Sequence, residues 1–570
     1  MKKLKKSVLL TILLLFASIL AAYGGEITIK FQKPATWSST PHIHMWINET
    51  DIVNNQEMAV VPGQSNWYQY TVNTGSYNVI FNDGGWNGQG TNQTNPLYVG
   101  AASDVCYTTV GFNSNIVSAT CPSGGSGGGI TGINIKFKRP QSWDATPNIH
   151  IYKASPVSND AKVIYEINVL NYSSSGNFSA ITNDMARLKD LGVDVLWLMP
   201  IFSIGVEGRV GVYGSPYATK DYYSVNANYG SLADFKNLVA AAHENGMEVW
   251  LDIACNHTAK DNAWVQSHLE YYGYNLRSPF NWNDVYQLDY TYNGTNTPLY
   301  NAMTDVLKYW VSECDIDGYR CDYATGVPVS FWQHARTEVD KIKAVTWLCE
   351  GDDSNYISTF DMDYAWGFND DLAAFAGHRT VSTLINECNN LFFNSKYTNK
   401  SKMVYLTNHD LSAYNQTEFQ RFGDFYLPLL VLSFTIYDHP LLYNGQEIGQ
   451  SITTFVDKQT INWSNVNSQI NGLVKKLISL KHNYSALKDG PNRGTLNNLS
   501  ASSPNVYAYE RTDGESSIIV MLNFSTSSST FSLNNRPSGT YADYLNGGTM
   551  DFSSNNSFTL SANGYRIFVK

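Results

Sequence analysis

Four short polar clusters each close an apolar run in the middle of this chain. They are Asp252-Ile253-Ala254-Cys255-Asn256-His257, Arg320-Cys321-Asp322, Leu348-Cys349-Glu350 and Thr407-Asn408-His409-Asp410. Three of their carboxylates, Asp322, Glu350 and Asp410, with two imidazoles and one guanidinium, are what a site needs that combines a carboxylate nucleophile, a carboxylic acid and a third group to stabilise positive charge. Arg320 stands two residues before Asp322, and strand side chains alternate with period two, so both point to one face. A guanidinium beside a carboxylate favours the charged form, so Asp322 is expected to be held ionised. Glu350 has no Arg beside it in the sequence, and a raised pKa, as an acid requires, is expected there. Any one cluster is equally well an ion pair or a helix cap. Four at successive strand ends are not, because buried strands rarely end in charges.

The elements that must position these clusters alternate. Val163 to Ile167, Val193 to Met199, Glu248 to Ala254, Asp317 to Asp322, Ala344 to Glu350, Met403 to Thr407 and Pro440 to Tyr443 read as strands. Helical patterns fall at Phe178 to Leu191, Ser231 to Asn245, Leu299 to Cys314, Phe419 to Thr435 and Asn467 to His482. Strands alternating with helices predict a parallel sheet, and the repeat number predicts an α/β fold, a (β/α)8 TIM barrel over residues 159–486, with its chemistry at the C-terminal strand ends.

The flanks differ in texture. Lys2, Lys3, Lys5 and Lys6 precede the apolar run Val8 to Ala22, which predicts a signal peptide over residues 1–22 and a secreted protein, extracellular or periplasmic. Ile27 to Ile47 and Ile133 to Lys153 are near copies, each an alternating run, a Pro-Trp loop and a second alternating run. The first continues into a complete β-sandwich module over 26–121; the second stops early, a partial repeat at 133–158. Between them, 122–132 is a Gly/Ser linker. His44, Trp46, Trp37 and Trp86 are candidates for a sugar-stacking platform, Trp86 because a large aromatic in so Gly-rich a loop is hard to bury. A strand-rich region over 487–570 predicts a C-terminal β-sandwich.

A net charge of −11 without a basic block argues against nucleic acid and anionic membranes as partners, and the chain is read as a monomer. Aromatic residues make up 14% of the chain, which suits flat polar ligands that stack, sugars among them. Of seven cysteines, Cys106 and Cys121 could pair, while Cys255, Cys321 and Cys349 sit in apolar runs as inert thiols.

At the four clusters the chain resembles the α-amylase family, glycoside hydrolase family 13, over about Val163 to Lys570. Asp252 to His257, Gly318 to Asp322, Glu350 and Asn408 to Asp410 are similar to its four motif regions. Gly192 to Ile201, Tyr217 to Tyr222 and Pro440 to Glu447 are similar to further family segments. Residues 26–121 resemble family 26 starch-binding modules. The resemblance implies retaining endo-hydrolysis of α-1,4 bonds in starch, glycogen and maltooligosaccharides, with α-glucans as partners. It implies Asp322 as nucleophile, Glu350 as general acid and base, and Asp410 as transition-state stabiliser. It implies His257 and His409 on substrate hydroxyls, Tyr217 stacked beneath a sugar, and Asp252 behind Arg320. Calcium is the one cofactor implied, with Asn256 as its candidate ligand. Tyr323-Ala324-Thr325-Gly326 stands where the family often has Lys-His, which removes one substrate-binding pair and one calcium ligand. A cyclodextrin- or pullulan-degrading or transglycosylating member, or an inactive glucan-binding protein, are the alternatives.

Overall fold

The computed structural model describes strands between Glu26 and Ser118 and, apart from Arg379, residues 161–570. The chain divides into two compact units, Met1–Ala154 and Ser155–Lys570. In the first, Glu26–Gln32 pairs antiparallel with Trp67–Asn73 and parallel with Val105–Thr108 in a five-stranded sheet. A second, four-stranded sheet centres on His42–Ile47. His44 and Trp46 belong to that strand. Trp37, Trp86, Cys121, the leader, the linker and the partial repeat lie outside the described residues.

The second unit opens on a closed parallel barrel: β1 (Ile164–Ile167), β2 (Val195–Leu198), β3 (Glu248–Ala254), β4 (Gly318–Asp322), β5 (Thr346–Cys349), β6 (Met362–Tyr364), β7 (Ser401–Tyr405) and β8 (His439–Tyr443). Alternation along each strand splits the side chains between two cores. Ile164, Val195, Trp197, Trp250, Leu348, Met362, Tyr364, Met403 and Leu441 fill the barrel. Tyr165, Leu196, Val249, Leu251, Ile253, Tyr319, Cys321, Trp347 and Cys349 face the helices outside. Cys255, Cys321 and Cys349 are buried free thiols, as expected. Gly318 is required by the interior: a Cβ there would lie 2.5 Å from the Trp250 ring.

Two expected elements are broken, and one barrel strand was not anticipated. Phe178 to Leu191 is two short helices, Phe178–Thr182 and Met185–Leu191. The stretch expected as one helix from Phe419 is Glu418–Phe422 and Tyr426–Thr435, interrupted where Gly423 takes φ +50°. Strand β6 went unread because three residues, one of them Asp363, carry no periodic signal. Asp363 is tolerated because Lys402 on β7 reaches it at 2.9 Å.

The C-terminal domain is a six-stranded sheet from Thr495–Leu499 to Thr549–Asp551, with the pair Ser529–Phe531 and Phe558–Leu560 opposite a core of Ile519, Met521, Phe552 and Phe568. It is fastened to the barrel by charge. Arg511, fully buried, donates to the carbonyls of Thr435 and Ile436 at 3.0 Å and of Ala486 at 3.1 Å. Lys481, equally buried, donates to Leu487 O at 2.7 Å and Asp489 Oδ1 at 2.6 Å. Among the described residues, no helix is long and apolar enough to cross a membrane.

Candidate active site

Strand register explains how the site assembles. Asp252 on β3 lies level with Arg320 on β4, and Ala254 level with Asp322. Period two then turns Asp252, Arg320 and Asp322 inward together, above Trp250. The Arg320 guanidinium serves three carboxylates. Its Nη1 donates to Asp252 at 3.0 and 3.2 Å and to Asp322 Oδ1 at 2.9 Å. Its Nη2 lies 2.7 Å from Glu350 Oε1, an ion pair without the alignment of a hydrogen bond. Nε donates to the Tyr364 hydroxyl at 3.1 Å, and the ring of Trp197 packs 5.3 Å from the guanidinium carbon. With every face engaged, Arg320 has one conformation, and the carboxylates it holds are fixed with it.

Asp410 comes from the short helix His409–Tyr414, whose N-cap is Asn408: its side chain accepts from Leu411 N at 2.8 Å. The Asp410 side chain is 35% exposed, against 12% for Asp322 and 9% for Glu350, so it borders the open mouth. His409 is buried between two acids. Its Nδ1 binds Glu166 of β1, and its Nε2 meets the Tyr217 hydroxyl at 2.7 Å and Asp410 Oδ2 at 3.3 Å. Tyr217 stacks on the His409 ring at 5.4 Å and donates to Asp252 at 3.0 Å. His257 Nε2 lies 3.0 Å from the Tyr217 carbonyl, which can only accept, so Nε2 carries the hydrogen. Both imidazoles are thus committed to protein partners here, with no free edge for a hydroxyl except His257 Nδ1.

The electrostatics differ from the reading of Arg320-Cys321-Asp322 alone. Burial pushes Asp322 up; Arg320 pulls it down, but Asp252 and Asp410 add to the rise, and it stands at about 6. Glu350 is pushed by burial to about 7, against Arg320 and with Asp322 and Asp410. The expectation that Asp322 sits low is therefore corrected, while Glu350 is raised as expected although Arg320 reaches it as well. Asp322 remains the more acidic. Burial drives His257 down to about 4, leaving it neutral. For His409 burial opposes charge, but Asp410 and Glu166 outweigh it and raise the imidazole to about 9.

That last shift sets a pH dependence of stability. A base whose folded pKa lies above its unfolded value of about 6.5 stabilises fully below that value and loses the stabilisation as pH rises through the folded pKa. Between pH 7 and 8.5 the loss should approach about 1.4 kcal/mol per pH unit for this one group. Glu166→Gln removes one of the charges that hold the proton. Chemical unfolding across that pH range should show a shallower fall in the variant; equal slopes would mean that His409 is neutral.

Calcium requires six to eight oxygen ligands. Asn256 Oδ1 is buried and without a hydrogen-bond partner, one neutral oxygen. Among the described residues, no group of three or more His, Cys, Asp or Glu could hold a metal ion. Asn256 is one such oxygen, and no step of the chemistry is routed through a calcium ion.

Glu166, Tyr364 and Trp197 complete the site without having been singled out in the sequence. Glu166 had a visible signal, a carboxylate inside an apolar strand.

Paired carboxylates on one guanidinium, at the C-terminal mouth of a (β/α)8 barrel, define a glycoside hydrolase. The chain belongs to the α-amylase family: the family model described as alpha amylase, catalytic domain, matches residues 140–476. Starch-binding module 26 matches 29–96, and the alpha amylase C-terminal all-beta domain matches 497–569. The α-amylase MalA of Haloarcula japonica is 26% identical over 415 residues, 68% of this chain and 58% of that protein, so the chain spans little more than half of that relative. A cyclomaltodextrinase of Thermoanaerobacter pseudethanolicus is 26% identical over 400 residues, 63% of this chain and 65% of that protein. Among solved structures, an α-amylase from Lactobacillus plantarum is 29% identical with a TM-score of 0.63, covering 73% of this chain and 99% of that one.

Proposed function

We propose that the protein is an exported α-amylase that cleaves internal α-1,4 bonds of starch-like glucans with retention of configuration. The observation that carries this is Arg320 spanning Asp322 and Glu350, at 2.9 and 2.7 Å. Two carboxyls held by one guanidinium leave little room for the water that an inverting pair keeps between them. Asp322, the more acidic, attacks the anomeric carbon. Glu350 protonates the departing oxygen and then, as carboxylate, takes a proton from the incoming water. Asp410, open to the mouth, stabilises the positive charge that develops on the sugar. Tyr217 and His409 form the wall beneath that sugar, and Asp252 is a positioning residue acting through Arg320. The N-terminal module is assigned to starch, with His44, Trp46, Trp37 and Trp86 as the stacking residues. Export rests on the leader-like residues 1–22.

Relatives named as α-amylase and as cyclomaltodextrinase make the product profile the test. Soluble starch should yield mixed maltooligosaccharides early, with pullulan and cyclodextrins degraded far more slowly, and NMR should show the α-anomer as the first product. A β-anomer overturns retention, equal rates on cyclodextrins overturn the starch assignment, and starch binding without reducing-end release overturns catalysis.

A further inference from the structure

The segment that leaves β5 carries Glu350 and is fastened on both sides of it. Upstream, the Glu350 N–H donates to Cys321 O of β4 at 3.0 Å. Downstream, Gly351 O accepts from the Tyr364 N–H of β6 at 3.2 Å. The next residue, Asp352, meets Lys402 of β7, whose Nζ donates to Asp352 Oδ1 at 2.6 Å.

Lys402 is as fully engaged as Arg320. It lies level with Asp363 of β6, and Met362 and Tyr364 point into the barrel, so period two turns Asp363 outward with Lys402 beside it. The three ammonium hydrogens go to Asp352 Oδ1, to Asp363 Oδ1 at 2.9 Å and to Tyr364 O at 3.1 Å. The ammonium packs 4.1 Å from the Tyr397 ring, and Tyr397 donates to Asp363 Oδ2 at 2.5 Å. With every donor used and a side chain 5% exposed, Lys402 has one conformation.

One carboxylate would neutralise this lysine, and Asp363, 1% exposed, already does so. The second works against the first. Burial raises Asp363 to about 7 against the pull of Lys402 and Tyr397, and Asp352 adds to the rise. Asp352 is also 38% exposed, so water could solvate it without Lys402. Its Oδ2 accepts from the Gly367 N–H at 3.2 Å, in the first turn of the helix Trp366–His378. A surplus acid two residues from Glu350, tied at once to β7 and to that helix, points to a use beyond charge balance.

We infer that Asp352 and Lys402 form a latch that sets the reach of Glu350 toward the departing sugar oxygen, which makes both positioning residues for acid catalysis. This rests on the reading of Glu350 given above. A proton donor must stand within about 2.6–3.2 Å of the oxygen it protonates. A misplacement of about 1 Å can lower the rate by about 100-fold. Released from Lys402, the Gly351-Asp352 turn loses its hold on β7, and the Glu350 carboxyl loses alignment with it. An ion pair that served the fold alone would change stability and not the proton-transfer step.

The test takes the full chain and compares kcat/KM on soluble starch, whose leaving oxygen needs the proton, with kcat/KM for fluoride release from α-maltosyl fluoride, which does not. Asp352→Ala leaves Lys402 paired with Asp363, so the fold should hold. It should lower the starch value by about 30-fold, chiefly in kcat, and the fluoride value by less than about threefold. Asp352→Asn keeps an oxygen for Lys402 and should stay within about threefold of wild type on both substrates. Added to Glu350→Gln, Asp352→Ala should lower starch activity by less than about twofold more, because the group it positions is gone. Equal losses on both substrates, unchanged starch activity in Asp352→Ala, an equally impaired Asp352→Asn, or additive losses with Glu350→Gln would overturn the latch and leave Glu350 its role. If Glu350→Gln by itself loses fluoride release as heavily as starch activity, the acid assignment falls and the latch with it.

Discussion

Asp322→Asn is expected to lower kcat/KM on soluble starch by about 10^4- to 10^6-fold, the scale seen when a nucleophile is removed from an otherwise intact site. The fold should survive. An Asn carbonyl can still accept from Arg320 Nη1, which Asp322 does now at 2.9 Å, so the clamp on Asp252 and Glu350 persists. Removing the charge also relieves a group that burial already raises to about 6, so stability above that pH should hold or improve. Starch affinity measured by depletion should change little, because the lost interaction is made in the transition state. Activity within tenfold of wild type would remove Asp322 from the nucleophile role.

Glu350→Gln should lower the same parameter by about 10^2- to 10^4-fold. The two losses can be told apart by leaving group. Fluoride departs without a proton, so Glu350→Gln should retain much of its first-step rate on α-maltosyl fluoride, and Asp322→Asn should not. The pH profile separates them again. Asp322 must be ionised, so wild-type kcat/KM falls as pH drops below about 6; Glu350 must be protonated, so it falls as pH climbs above about 7. Glu350→Gln should lose the alkaline limb and keep the acid one. If the alkaline limb persists in the variant, another group is the acid.

Most of this architecture is written locally. Seven of eight barrel strands carry an apolar run long enough to read, and the four polar clusters announce themselves by ending those runs. β6 does not, because Met362-Asp363-Tyr364 borrows its stability from Lys402 on the neighbouring strand. What a local reading misses is what the barrel adds by closure. Asp252 lies far from Asp322 in the chain, yet register places it level with Arg320, and with Asp410 it adds to the rise that burial imposes on Asp322. Glu166 meets His409 across the seam where β8 closes on β1, a contact no spacing along the chain can suggest.

Arg511 and Lys481 give the chain an asymmetric modularity. The N-terminal unit has its own paired sheets. The other end cannot be trimmed in the same way. Ending the polypeptide after the last barrel helix would remove the cation that satisfies the carbonyls of Thr435 and Ile436 and strand a buried Lys481 without Asp489. Barrel and C-terminal domain therefore make up one minimal catalytic fragment, to be swapped or transplanted together.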